Sequence, residues 1–332
     1  MSEQTGWVIT PGGPRPRENV HQVNAGDVIF HDRAAGVSSI LRAAGVSAKG
    51  AAAAEQLVIT PGGARPRSLV HEVKPGEVVT ATRAVRSVAG EEAKRPDRLS
   101  RMALQRATDV LPADQLPALG SGWITYAVWI NDTGKTITTL RTTWTVPPPP
   151  ATQSGQLLYL FNGLQDNPVT HILQPVLQWG VSPDGGGNSW AIASWWVDSS
   201  NNAYKTPLVS VNPGDTLVGV MTLLSQAAGS FSYKCEFEGI AGTSLTIQNA
   251  NELVMPVQTL ECYDLTQCSD YPNTDKTAMT AIAIKAGNDF LSPTWNADNA
   301  VSDCGQHTII VSNASPGGEV DLYYRAGKPK PA

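Results

Sequence analysis

Residues 171–197, HILQPVLQWGVSPDGGGNSWAIASWWV, decide the fold. Apolar and polar side chains alternate near 171–179 and again near 189–197, the period of a strand with one face buried. Pro183-Asp-Gly-Gly-Gly187 between them is a turn signal, because proline fixes φ and glycine accepts the positive φ of tight turns. Two such runs predict an antiparallel pair. Gln174, Val176 and Gln178 fall on one face, provided Pro175 introduces no bulge.

The same period runs outward from Gly122 to residue 325. Strands are expected near 123–130, 136–146, 157–164, 207–211, 216–224, 231–238, 243–248, 253–264, 278–285, 307–312 and 319–325. Asp132-Thr-Gly, Pro147–Pro150, Pro213-Gly-Asp and Ser315-Pro-Gly-Gly punctuate them. With 30 Gly, 24 Pro and only 16% charged residues among 332, the composition suits short strands and tight turns rather than a helical bundle. The expectation is a mainly β chain whose residues 121–325 form a two-sheet antiparallel β-sandwich of the concanavalin-like kind. That architecture hosts lectins, glycan hydrolases and peptidases alike, so it names no function.

Ahead of it lies a repeat. Trp7–Ile29 recurs fifty residues later as Leu57–Val79, and fourteen of the 23 positions are identical. Each copy reads as a strand, a Pro-Gly-Gly turn, an extended Arg-Pro-Arg run and a hairpin strand around its histidine, so small β-hairpin modules occupy residues 1–85. Hairpins are marginal alone, and the copies should pack on each other, on the main domain or on a partner. His21 and His71 read as ligands, pH switches or strand caps; Arg15, Arg17, Arg65 and Arg67 read as grips for an acidic surface or as solvated turn residues. Residues 34–56 form an Ala/Gly/Ser-rich spacer. Residues 86–120 form a charged linker whose MALQRATDVL run predicts a short helix, and 326–332 a tail.

Charge divides the chain in the same place. Residues 1–120 carry 15 basic and 12 acidic side chains, the remainder 9 and 17. An acidic main domain excludes nucleic acid as a partner, since binding it requires neutralised phosphates. It would attract its own basic leader and release it as carboxylates protonate. No run of apolar residues is long enough to span a membrane, and the first 30 residues show no signal-peptide core, which leaves the localisation open. Cys235, Cys262, Cys268 and Cys304 fit two disulfides or four buried thiols, and no histidine stands at zinc-ligand spacing, so no metal site is expected.

Nucleophilic chemistry has little support. No Gly-x-Ser-x-Gly elbow occurs, and the cysteines lack an electropositive setting. Polar groups on strands offer more: Glu261 and Tyr263 share a face in LVMPVQTLECYDL while Cys262 and Asp264 oppose them.

From about Gly122 to Gly287 the chain resembles the glutamic peptidases of the eqolisin type. Tyr126-Ala-Val-Trp followed by Thr143-Trp-Thr-Val-Pro is similar to that family's opening strand pair. Leu160-Phe-Asn-Gly-Leu-Gln is similar to its Trp-Val-Gly-Ile-Asp, and Thr170-His-Ile-Leu-Gln-Pro-Val-Leu-Gln-Trp-Gly to the segment carrying its catalytic glutamine. Trp190–Val197 and Leu208-Val-Ser-Val-Asn-Pro-Gly-Asp follow in the family's order.

The resemblance implies an acid-acting endopeptidase with a polypeptide substrate and no cofactor or metal. Gln174 is then the catalytic glutamine and Glu261 the carboxylate, with Glu252 in Asn-Ala-Asn-Glu as its rival. The carboxylate serves as base and then acid, and the amide holds water and steadies the oxyanion. Phe161, Gln165, Gln178, Trp179, Ser194 and Trp196 are the implied substrate-binding residues. Gln165 and Ser194 stand where the family has acidic groups; losing like-charge neighbours shifts the pH of activity or removes activity. The competing expectation is a non-catalytic carbohydrate-binding or surface-recognition sandwich, with glycans as ligands and the Trp-rich sheet as platform.

Overall fold

The computed structural model describes residues 7–11, 13–17, 19–23, 27–32, 37–41, 57–60, 63–66, 122–167, 169–182, 185–200 and 202–325. Seven described strands come first: β1 (Trp7–Thr10), β2 (Gly13–Pro16), β3 (Val20–Gln22), β4 (Val28–Asp32), β5 (Val37–Leu41), β6 (Leu57–Thr60) and β7 (Gly63–Pro66). The next eight are β8 (Gly122–Val128), β9 (Thr139–Thr145), β10 (Leu157–Asp166), β11 (Ile172–Ser182), β12 (Gly185–Val197), β13 (Ala203–Lys205), β14 (Val209–Ser210) and β15 (Thr216–Ala227). The last eight are β16 (Ser230–Phe237), β17 (Leu245–Ala250), β18 (Leu253–Tyr263), β19 (Lys276–Ala286), β20 (Asp289–Phe290), β21 (Asn296–Asn299), β22 (His307–Ser312) and β23 (Gly318–Tyr323).

Two sheets hold the sandwich. The first has nine strands in the order β21-β8-β18-β10-β11-β12-β13-β3, with β14 also on β12. The second has ten, β22-β23-β19-β9-β15-β16-β17-β4-β5, with β20 on β19. The expected mainly β sandwich is therefore what the chain forms. Short strands β5, β13, β20 and β21 lie outside the sequence expectations, β5 falling within the 34–56 stretch expected as a spacer. The helix expected at MALQRATDVL, the 86–120 linker and the 326–332 tail lie outside the described residues.

Alternation sorts the first sheet's side chains into two faces. Leu158, Leu160, Leu173, Leu177, Trp179 and Trp196 meet Leu140, Trp144, Leu217 and Met221 of the second sheet in the core between the layers. Burying each such apolar side chain contributes about 2–3 kcal/mol. The opposite face carries Trp123, Tyr126, Tyr159, Phe161, Val176 and Trp195, and it is buried as well. Pro175 introduces no bulge: β11 stays in register with β12 from Ile172 to Trp179. Opposite Pro175, Ser194 turns its main-chain groups away from β11: its amide donates to Thr206 Oγ1 at 3.0 Å and its carbonyl accepts from the Thr206 amide at 3.0 Å.

The outer face is covered by the N-terminal segment. Hairpins β1–β2 and β6–β7 pack on each other, and β6 reaches β11. The strand around His21 does not make the expected hairpin. Instead β3 pairs in parallel with β13 at the edge of the first sheet, and β4 pairs in parallel with β17 at the edge of the second. Residues 20–32 thus add a strand to each layer.

Cys268 and Cys304 form a disulfide, while Cys235 and Cys262 are buried thiols. The four cysteines split between the two alternatives. Burial, then the neighbouring Glu261 charge, pushes the Cys262 thiol up, and burial does the same for Cys235, so neither is an ionised nucleophile.

Candidate active site on the outer face of the first sheet

Strand register sets which polar groups meet. Glu261 of β18 stands opposite Tyr159 of β10, Tyr159 opposite Gln178 of β11, and Gln178 opposite Ala191 of β12. Glu261, Tyr159 and Gln178 form one row across three strands. Two strand spacings of about 4.8 Å put the outer two Cα atoms about 10 Å apart.

Gln174 shares this face but not this row. It lies opposite Trp195, level with Gly163 and Val257, four residues along β11 from Gln178. That offset adds about 13 Å along the strand at about 3.3 Å per residue. Gln174 and Glu261 therefore lie in different rows, and the glutamine in Glu261's row is Gln178, with Tyr159 between them. Glu252 lies in the turn between β17 and β18, at the far end of β18 from Glu261.

The other expected binding residues divide by face. Phe161, Gln165 and Gln178 sit on the outer face. Trp179 and Trp196 point into the core between the sheets, and Ser194 points inward to Cys235, because they alternate with outward neighbours. These three cannot line a site on the outer face, which corrects their assignment.

The row has aromatic walls. Trp123 pairs with Glu261 across β8, its ring 5.0 Å from Tyr126 and 6.0 Å from Phe161 between centroids. Tyr159 and Tyr263 meet edge to face at 6.5 Å. Glu261 is fully buried, and its carboxylate accepts a hydrogen bond from the Tyr263 hydroxyl. Tyr263 also bonds the main-chain oxygen of Thr10, at 3.2 Å. The β1–β2 hairpin therefore reaches the candidate carboxylate through the Tyr263 side chain.

Gln178 is anchored where β11 ends. Its Nε2 donates to the carbonyls of Gly180 and Gly185 at 3.2 and 3.3 Å. Gly180 has φ +103°, and a Cβ there would stand 2.2 Å from the Gln156 carbonyl oxygen, so only glycine fits this bulge. Both amide atoms of Gln174 are buried without a hydrogen bond among the described residues. Lys205, in Gln174's row, places its ammonium 5.7 Å from the Trp195 ring.

At the rim Asp166 accepts from His171 Nδ1 at 2.6 Å and from Asn251 Nδ2 at 3.0 Å. Burial alone would raise this carboxyl, but the His171 hydrogen bond and charge outweigh it and hold the group well below the usual carboxylate range. The expected carbohydrate platform has no exposed form here: among the described residues Phe290 is the one large aromatic at the surface. No cluster of three or more His, Cys, Asp and Glu side chains gathers as a metal-binding group among those residues.

A buried carboxyl, a carboxamide in its row and aromatic walls can position a water against an extended peptide. Sequence reasoning missed Tyr159, Tyr263 as a link to Thr10, and Lys205. Tyr263 carried the one available signal, standing two residues from Glu261 on the same strand face.

The folded chain is similar to several solved structures. It matches scytalido-glutamic peptidase bound to a peptide-based transition-state analogue at 17% identity and TM-score 0.39, over 61% of this chain and 98% of that one. It matches SCP-B, a member of the eqolisin family of peptidases in complex with the tripeptide Ala-Ile-His, at 17% identity and TM-score 0.40 with the same coverage. No protein-family model matches the sequence, and no curated protein does.

Proposed function

We propose that the chain is an acid-acting glutamic endopeptidase whose N-terminal segment covers its site. The observation that carries this reading is the row of Glu261, Tyr159 and Gln178 on a buried aromatic sheet face, beneath a hairpin tied to it through Tyr263. Once the segment is displaced, an extended polypeptide lies along the face, its apolar side chains against Trp123, Tyr126 and Phe161. Glu261 takes a proton from a water, which attacks the scissile carbonyl; the same carboxyl then protonates the leaving amine. Gln178 holds the water and the tetrahedral oxygen as a neutral, preorganised amide. Gln174, Gln165 and Lys205 contact the peptide further along the face.

Digestion of denatured casein across pH 2 to 7 tests the reading. Cleavage at acid pH that is lost in Glu261→Gln and retained in EDTA supports it. Equal cleavage by the Glu261→Gln chain overturns the site assignment, and no cleavage at any pH after displacement of the N-terminal segment overturns the peptidase reading.

A further inference from the structure

The two repeats are not alike everywhere, and the structure gives their differences a pattern. In the first copy Thr10, Arg15, Arg17, Val20, His21 and Val23 are buried. All six recur unchanged in the second copy, as Thr60, Arg65, Arg67, Val70, His71 and Val73. Asn19 and Gln22, half-buried, are replaced by Leu69 and Glu72. Further on, buried Asp27 and Ile29 become Glu77 and Val79, which keep charge and apolar character. Buried positions keep either their identity or, at these two, their chemical character.

Thr10, Arg15, Val20, His21 and Val23 have defined counterparts on the sandwich. Tyr263 bonds the Thr10 carbonyl, and Arg15 Nη1 donates to the Asp198 carbonyl at 3.3 Å. His21 stacks on Tyr204 at 4.6 Å between ring centroids and bonds Asn202 Oδ1 through Nε2 at 3.2 Å. The edge of β13 adds main-chain bonds: the Ala203 amide donates to Asn19 O, and Val23 N donates to Lys205 O. Main-chain bonds are indifferent to side-chain identity, and the side-chain bonds involve residues present in both copies.

We propose that this surface, the β13 edge with Asp198, Asn202, Tyr204 and Tyr263, is a dock for the repeat motif, and that residues 57–79 are its second occupant, exchanging with residues 7–29 of the same chain. The 42 residues between Val79 and Gly122 would span roughly 140 Å fully extended, so the tether permits the exchange. The two occupants are not equal. Past the repeat, the first copy continues into a clasp: His31 bonds Ser38 Oγ at 3.0 Å, lies edge-on to His171 at 4.4 Å, and Ser38 Oγ accepts from Trp196 at 2.9 Å. The second copy has Ala81 and Val88 at those positions. The first copy is the major occupant and the second the minor one.

Cysteine trapping on the full chain tests this independently of any activity. Gln22 stands opposite Lys205 in the β3–β13 pairing, within disulfide range, and Glu72 is its equivalent in the second copy. Chains with Lys205→Cys plus either Gln22→Cys or Glu72→Cys are oxidised and mapped by peptide mass. The 22–205 link should dominate in otherwise native chains. Adding Val20→Asp, which disables the first copy, should raise the 72–205 link at least about tenfold. Because Val20→Asp could weaken folding, a companion chain carries the sequence of 57–79 in place of 7–29; it should melt within a few degrees of the native chain. A 72–205 link that stays absent in the folded Val20→Asp chain overturns the proposal. So does loss of cooperative melting in the companion chain. A 72–205 link found only between molecules overturns the same-chain exchange.

Discussion

The hydroxyl of Tyr263 bonds both the main-chain oxygen of Thr10, 253 residues away in sequence, and the carboxylate of Glu261. Tyr263→Phe removes both bonds and leaves the ring packing. We expect a stability loss of about 1–2 kcal/mol in urea unfolding. We also expect faster trypsin cleavage after Arg17, because the hairpin then detaches more often; the Arg15–Pro16 bond resists trypsin. Unchanged cleavage after Arg17 would show that Tyr263 does not hold the hairpin.

The two amides separate by register. Glu261→Gln should lower kcat by about 10²–10⁴-fold. Gln178→Ala, one row-mate removed, should cost about 10²–10³-fold. Gln174→Ala should cost less than about tenfold, a barrier change of about 1.4 kcal/mol. A larger loss in Gln174→Ala than in Gln178→Ala, measured on the same peptide substrate, would reverse the row assignment.

Gly180→Ala tests the anchor. Its Cβ would collide with the Gln156 carbonyl, and its φ of +103° strains any side chain. The expected result is a destabilisation of about 1–3 kcal/mol together with a lower kcat, since the Gly180 carbonyl orients Gln178. A chain that melts normally and cleaves normally would separate Gln178 from this bulge.

Asp166 should make stability depend on acid. Its folded-state carboxyl is held below the ordinary value, chiefly by His171 working against burial. A depressed carboxyl contributes stability that is complete above its unfolded pKa near 4 and is lost as pH falls through the lower folded value. The difference in urea midpoint between wild type and Asp166→Asn should therefore be constant above about pH 5 and shrink below about pH 4. A difference that instead grows below pH 4 would contradict the sign.

The Cys268–Cys304 bond closes a loop of 36 residues. Cys304→Ser should lower stability by about 3–4 kcal/mol on the chain-entropy account. Calorimetry under oxidising and reducing conditions reads this directly, and an unchanged melting temperature on reduction would show the bridge to be energetically idle.

Much of this was written in the sequence locally. The long alternating strands announced themselves, and parity placed Glu261 and Tyr263 opposite Cys262, as the two buried faces show. Parity also held a signal that went unused: Gln178 and Trp179 are neighbours on one strand and must face opposite ways. The choice between Gln174 and Gln178 was different in kind. Both share a face, so alternation cannot separate them; only the pairing of β10 with β11 and β18, contacts about 20 and 100 residues apart in sequence, fixes the row. The docking of β3 and β4 was illegible for a related reason. An edge strand carries no local mark of which sheet it will join.

That docking has a mechanical consequence. Residues 20–32 stitch one strand to each layer, so the leader is a seam along the side of the sandwich. Cutting the chain anywhere between residues 42 and 121 nicks the molecule without parting it, because the severed piece stays laced into two ladders. Displacing the segment, as the proposed function requires, then takes peeling as well as scission. Peeling bares the β13 and β17 borders together, two unpaired edges that invite another strand to take the empty place.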